Sequence, residues 1–294
     1  MDVFLQVLTN GIMLGGLFAI VGVGLTLIFG IVKVVNFAHG EFLMVGMYLT
    51  YLVATWVGLH PYVTIVAVVP LLFALGIVTQ RFLIQPLMVA RNDDIQIFAT
   101  VGLSTALINL ALLLFGADIA TTPASGLRTT IEFGPVRVLV GQAAILATAI
   151  ALVVGLHLFL QRSQAGRAIR AVAQNRDAAQ LMGINVPWIY TLTFGMGAAC
   201  VGLAAVLIAP LYPTQPTIGT YFVLTAFVVV VLGGLGSIGG AFAGAIVIGL
   251  IDSFAGFYIG SDLREVAVFG VFLLILLVRP SGLFGSRTSL AHVS

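Results

Sequence analysis

Charge is scarce in this sequence. Lys and Arg together number 12 and Asp and Glu 10, so 7% of the 294 residues are charged, where a soluble domain carries roughly 25%. So few ionised groups cannot cover a water-soluble globule, and the apolar content is far too high for a disordered chain. The formal net charge of +2 is too small for a nucleic-acid binder. A single cysteine, Cys200, excludes an intrachain disulfide framework and a cysteine-based metal site. Four scattered histidines form no ligand cluster. Lysine occurs once, at Lys33, followed by Val34 and Val35. A phosphate loop needs its lysine at the end of a glycine-rich turn, so this chain cannot hold ATP in that manner. HExxH, GxSxG and a carboxylate pair within an apolar run are also missing, which leaves intramembrane proteolysis without support.

What is present is apolar. Hydrophobic residues make up 61% of the chain, and the mean hydropathy is +1.19. A bilayer-spanning helix needs about 20 such residues. Segments of that kind fall at 7–32, 41–59, 62–80 with Pro70 as a kink, 95–117 and 138–160. Residues 178–251 then contain no charge, with breaks at Pro210–Pro213 and Gly233–Gly236, and a short last segment covers 266–278 between Arg264 and Arg279. The expectation is an all-α, polytopic integral membrane helix bundle with about eight or nine transmembrane helices. It forms a single transmembrane domain over 1–294. The first segment is expected to remain as a span, because it carries Asp2 instead of a basic leader and is too long for a signal-peptide core.

Positive charge sets the orientation. With the N-terminus outside and nine crossings, Lys33, Arg81, Arg91, Arg162, Arg167, Arg170, Arg176, Arg279 and Arg287 share one side, and only Arg128, Arg137 and Arg264 the other. The first side is therefore read as cytoplasmic. The outside loop, 116–137, carries alternation around Gly134-Pro135 and reads as a small hairpin or lip. The inside segment, 161–187, is rich in Ala, Gln, Arg and Leu, good helix formers, and reads as a short cytoplasmic helix or helix pair. Its arginines could meet anionic lipid or a groove on a partner protein.

Glycine is abundant, with 34 residues. The four-residue spacings Gly11/Gly15 and Gly236/Gly240/Gly244 suit close helix packing in lipid or, alternatively, a hinge. Ionisable groups within spans are functional by default. Asp252 is a candidate, unless it lies near the outer interface with Asp262 and Arg264. Thr100, Ser104, Thr105 and Asn109 recur along the fourth segment, either lining a pathway or bonding neighbouring helices. Between the first two segments, Asn36, His39 and Glu41 sit in a block that is either a cytoplasmic turn or a break exposing polar groups to a pore.

Three blocks carry a family resemblance. IVKVVNFAHGEFLMVGMY at 31–48 resembles the signature after the first span of LivH-type permeases of the branched-chain amino-acid ABC transporter family. GRAIRAVAQNRDAAQLMGINV at 166–186 is similar to that family's cytoplasmic coupling segment, and VLGGLGSIGGAFAGAIVIGL at 231–250 to its glycine-rich late spans. With the order of spans, the likeness covers essentially the whole chain. Asp177-Ala178-Ala179 followed by Gly183 resembles the first part of the importer motif EAA-x3-G, with Asp for Glu. The motif's later part has no counterpart, since Thr193 stands ten residues after Gly183.

The resemblance implies the transmembrane permease of an ATP-binding-cassette importer in the bacterial cytoplasmic (inner) membrane. Its implied partners are a LivM-like second permease, two cytoplasmic ATPase subunits that use ATP and Mg, and an extracytoplasmic solute-binding protein. No cofactor is implied in this chain itself. The solute is a branched-chain amino acid or a related small polar molecule such as urea or an amide. Arg167, Arg170, Gln174, Asn175, Asp177, Ala178, Ala179 and Gly183 are the expected ATPase-coupling residues. Asn36 and His39, with Thr105 and Asn109, are the candidates for the translocation pathway. A self-sufficient secondary transporter or channel explains the composition equally well but not the cationic helical segment.

Overall fold

The computed structural model describes residues 2–88, 93–279 and 282–283; Arg91 and Arg287 lie outside them. The chain is a bundle of helices. In order they are α1 (Asp2–Val32) and α2 (His39–Val57), then a third span built from a 3-10 turn (Pro61–Thr64), α3 (Ile65–Val78), a π-helical stretch (Thr79–Ile84) and α4 (Gln85–Leu87). These are followed by α5 (Asp93–Phe115), a hairpin of β1 (Thr130–Phe133) and β2 (Val136–Leu139), and α6 (Val140–Arg162). The short α7 (Gln164–Gln174) and α8 (Arg176–Leu181) precede α9 (Val186–Ile208), α10 (Ile218–Gly233), α11 (Ile238–Tyr258) and α12 (Arg264–Val278).

Among the described residues, seven helical segments are long and apolar enough to cross a membrane. The shorter α10 and α12, of 16 and 15 residues, occupy the other two segments expected from hydropathy. The third span is longer than its charge-free stretch, reaching Leu87 because the helix continues through Arg81. Helices α1 and α9 form the core, buried on most sides, whereas α5 and α6 lie at the periphery.

Glycine sets the closest contacts. A Cβ at Gly11 would come within 2.9 Å of the Leu250 Cα, and one at Gly15 within 2.7 Å of the Ile246 Cα. As the first helix advances by four residues the second retreats by four, so α1 and α11 run antiparallel, backbone against backbone. Gly244 lies against Gly233 in the α10–α11 hairpin, and Gly30 against Gly236. The glycine spacings thus serve packing.

The bundle has two distinct ends. At one, the C-terminal parts of α1 and α6 meet α7 and the start of α11 around a small cavity lined by Gly30, Leu160, Arg170 and Ile238. Arg81 also lies at this end, beside Asn185 and Trp188. At the other end the Gln6 side chain clasps β2 by hydrogen bonds of 2.8 Å to the Arg137 carbonyl and from the Arg137 N–H. Arg128 donates to the Pro210 carbonyl there. The hairpin turns at Gly134-Pro135, pairing Phe133 with Val136. Five of the cationic residues expected on one side, Lys33, Arg162, Arg167, Arg170 and Arg176, belong to elements of the first end.

Candidate functional site

The first polar cluster arises from a helix that starts late. Helix α1 ends at Val32 and the chain reverses at exposed Lys33, whose φ of 58° is left-handed. Residues 33–38 then run back along the bundle without helical structure before α2 begins. The depth of that return is fixed by His39, whose Nε2 lies 3.1 Å from the Val21 carbonyl oxygen. Val21 is eleven residues before the end of α1, which is about 16 Å of helix. Six extended residues can cover that distance. Non-helical backbone at such depth is tolerated only when protein or water surrounds it, and here Val34, Asn36 and Ala38 are buried. The block is therefore a re-entrant segment, of which only Lys33 behaves as a surface turn.

Asn36, His39 and Glu41 are all fully buried. The Asn36 Oδ1 accepts from the Ala38 N–H at 3.1 Å. The Glu41 carboxylate is hydrogen-bonded by Ser104, and Thr100 donates to the Val35 carbonyl at 3.2 Å, so one face of α5 braces the segment. Even so, Asn36 Nδ2, His39 Nδ1 and Glu41 Oε2 have no hydrogen-bond partner among the described residues. Buried groups without partners are rare and costly, about 1–3 kcal/mol each. The cluster therefore holds hydrogen-bonding capacity that the described residues do not use.

Helix α10 starts at the same spot. Gly40 and Gly219 touch backbone to backbone, where a Cβ on Gly219 would come within 2.6 Å of the Gly40 carbonyl carbon. Neither α2 nor α10 has a side-chain N-cap. Both helices therefore start in the same region without a side-chain cap, their first N–H groups, those of His39 and Ile218, donating to the Asn36 and Gln215 carbonyls.

The other two pathway candidates are elsewhere. Thr105 and Asn109 lie on an exposed face of α5, one residue round from the Thr100/Ser104 face. Thr105 Oγ1 donates to Val101 O and Asn109 Nδ2 to Thr105 O, both within the helix. The four polar residues thus split into two faces, and the structure does not bring Thr105 and Asn109 to Asn36 and His39.

The second site is the pair α7–α8. Ser163 Oγ caps α7 through the Gly166 N–H, and Asn175 Oδ1 caps α8 through the Ala178 N–H at 2.9 Å. Gly166, Ile169 and Val172 form the buried stripe of α7, and Ala179 that of α8. Arg167, Arg170, Gln174, Asp177 and Ala178 are exposed. Of the expected coupling residues, Ala179 therefore faces the bundle and Asn175 terminates helices. Gly183 has a backbone reason of its own. Its φ is +82°, and the Ile184 N–H bonds to the Ala179 carbonyl while its own N–H bonds to Gln180, the Schellman ending of a helix. Sequence reasoning missed Leu181 and Met182, which stand 89% and 83% exposed beside this turn. Their signal was two large apolar residues in an otherwise polar segment. Arg176 also lies over the Tyr190 ring at 5.8 Å, linking α8 to α9.

Residues 7–278 match the family model described as branched-chain amino acid transport system / permease component. The chain belongs to this family. It is 33% identical to the high-affinity branched-chain amino acid transport system permease protein BraD of Pseudomonas aeruginosa, over 96% of each chain. LivH of Escherichia coli is 31% identical, again over 96% of each. A probable LivH of Methanocaldococcus jannaschii is 27% identical over 95% of this chain and 92% of that one. No solved structure matches the chain. These relatives are transport permeases, and this chain is a multi-pass membrane permease component. In such a permease the re-entrant cluster and the α7–α8 pair are two places where polar chemistry departs from an apolar bundle.

Proposed function

We propose that this permease is the transmembrane subunit of an ATP-binding-cassette importer for branched-chain amino acids or closely related small polar solutes. In this reading it sits in the bacterial inner membrane with the α7–α8 end cytoplasmic, the side that its lysine and arginines favour. It pairs with a LivM-like second permease, receives solute from an extracytoplasmic binding protein and draws energy from two ATPase subunits, which bind ATP and Mg.

The observation that carries the reading is the build of α7–α8. A chain without a phosphate loop must receive its energy from outside. This pair presents Arg167, Arg170, Gln174, Asp177, Ala178, Leu181 and Met182 outward, while Ile169, Val172 and Ala179 are buried. Through α6, α1 and α9, with which it is in contact, a push on its outer face reaches the core helices. Alternating access then moves the re-entrant segment, where Asn36 and His39 line the route inside this chain. Thr105 and Asn109, on the open face of α5, belong to the side where a second permease completes the path.

Cysteines placed by Gln174→Cys and Ala178→Cys in the active assembly test this. Efficient crosslinks to an ATPase subunit, changing in yield when ATP is added, are expected. Crosslinks to lipid alone would refute the coupling role.

A further inference from the structure

Far from α7–α8, Asp252 of α11 is only 3% exposed, and half of its carboxylate is unused. Its Oδ1 takes the Arg264 Nε at 2.7 Å, while Oδ2 has no partner. The Nη2 of Arg264 donates to the Tyr221 hydroxyl at 3.0 Å. Gly256, one turn beyond Asp252, leaves room for the arginine stem, since a Cβ there would lie 3.2 Å from the Arg264 Cδ. Asp252 is six residues before the end of α11, about 9 Å of helix from the end opposite the coupling pair.

Asp252 also borders a cavity of about 230 Å³ between α10, α11 and α12. Tyr221, Thr225 and Glu265 add oxygen atoms to its wall, and Leu224, Val268 and Phe269 add apolar surface. The Thr225 hydroxyl spends its proton on the Tyr221 carbonyl, so it faces a ligand as an acceptor. Two carboxylates against one guanidinium leave one formal negative charge. One buried carboxylate oxygen, Asp252 Oδ2, is unpaired. A cation with several N–H donors and an aliphatic body is what such a wall recognises.

We propose that this cavity is a binding station for the ammonium group of an aliphatic amino acid. Asp252 Oδ2 accepts from that group, and Leu224, Val268 and Phe269 receive the side chain. The inference rests on the amino-acid importer reading and deepens it by naming where solute first rests after delivery.

Equilibrium binding of radiolabelled leucine to the purified importer in nanodiscs, without its solute-binding protein, tests the proposal. The wild-type complex is expected to bind leucine saturably. 3-Methylbutylamine, which keeps the ammonium group, should compete, and 4-methylpentanoate, which lacks it, should not. Asp252→Asn is expected to weaken binding by roughly tenfold or more, the scale of one lost charged hydrogen bond. Val268→Phe, which fills the cavity and leaves the ion pair intact, should weaken it too in a complex that still assembles. Absence of saturable binding, wild-type affinity in either variant, or equal competition by the acid would overturn the station. ATP-driven leucine uptake by the same wild-type complex separates that failure from failure of the importer reading.

Discussion

Gly40 shows how much depends on one missing methyl group. Its α-carbon meets the Gly219 backbone where α2 and α10 begin, beside fully buried His39 and Glu41. Gly40→Ala has no flexible neighbour to displace, so it is expected to cost roughly 1–3 kcal/mol as overpacking. A lowered thermal unfolding midpoint in detergent, together with reduced uptake, checks this; an unchanged midpoint would contradict the contact. At this scale the sequence was partly legible. Polar residues in an apolar bundle must turn away from lipid, and Asn36 and His39 do. Their depth was hidden because it depends on Val21, 18 residues away, and on the packing of α1. Asp252 is paired with Arg264; the sequence offered the two as neighbours near the outer interface without an ion pair.

Helices were the most legible level, because a charge-free run of about 20 residues has few alternatives in lipid. Every segment expected from hydropathy contains a helix, and the polar stretch at 161–187 contains a helix pair. Less visible was where a helix departs from regularity. The gap at 33–38 falls in the block read as a turn or a break, whereas the π-helical stretch at Thr79–Ile84, just before Pro86, has no counterpart in the hydropathy. At the end of α8, Leu181 and Met182 are largely exposed among the described residues, so replacing both with aspartate should change the fold's own stability by no more than about 0.5 kcal/mol each. The same double variant is expected to lose copurification with the ATPase subunits. An unaltered yield of assembled complex would show that the tip is not a docking surface. Gly183 is a poorer probe, since its φ of +82° penalises any side chain whatever it docks against.

For the molecule as a whole, two ends with different chemistry frame an apolar body. One end carries the cationic helix pair and no phosphate loop; the other carries the hairpin and the Asp252–Arg264 pair. Few ionisable groups lie between them, which fits movement driven from outside the chain better than movement driven by protons or ions. The most direct measurement is leucine uptake into proteoliposomes holding the complete complex. The expected result is accumulation that requires ATP on the α7–α8 side and the solute-binding protein on the other, and that survives collapse of proton and sodium gradients. Uptake by this chain alone, driven by an ion gradient without any ATPase, would contradict the account.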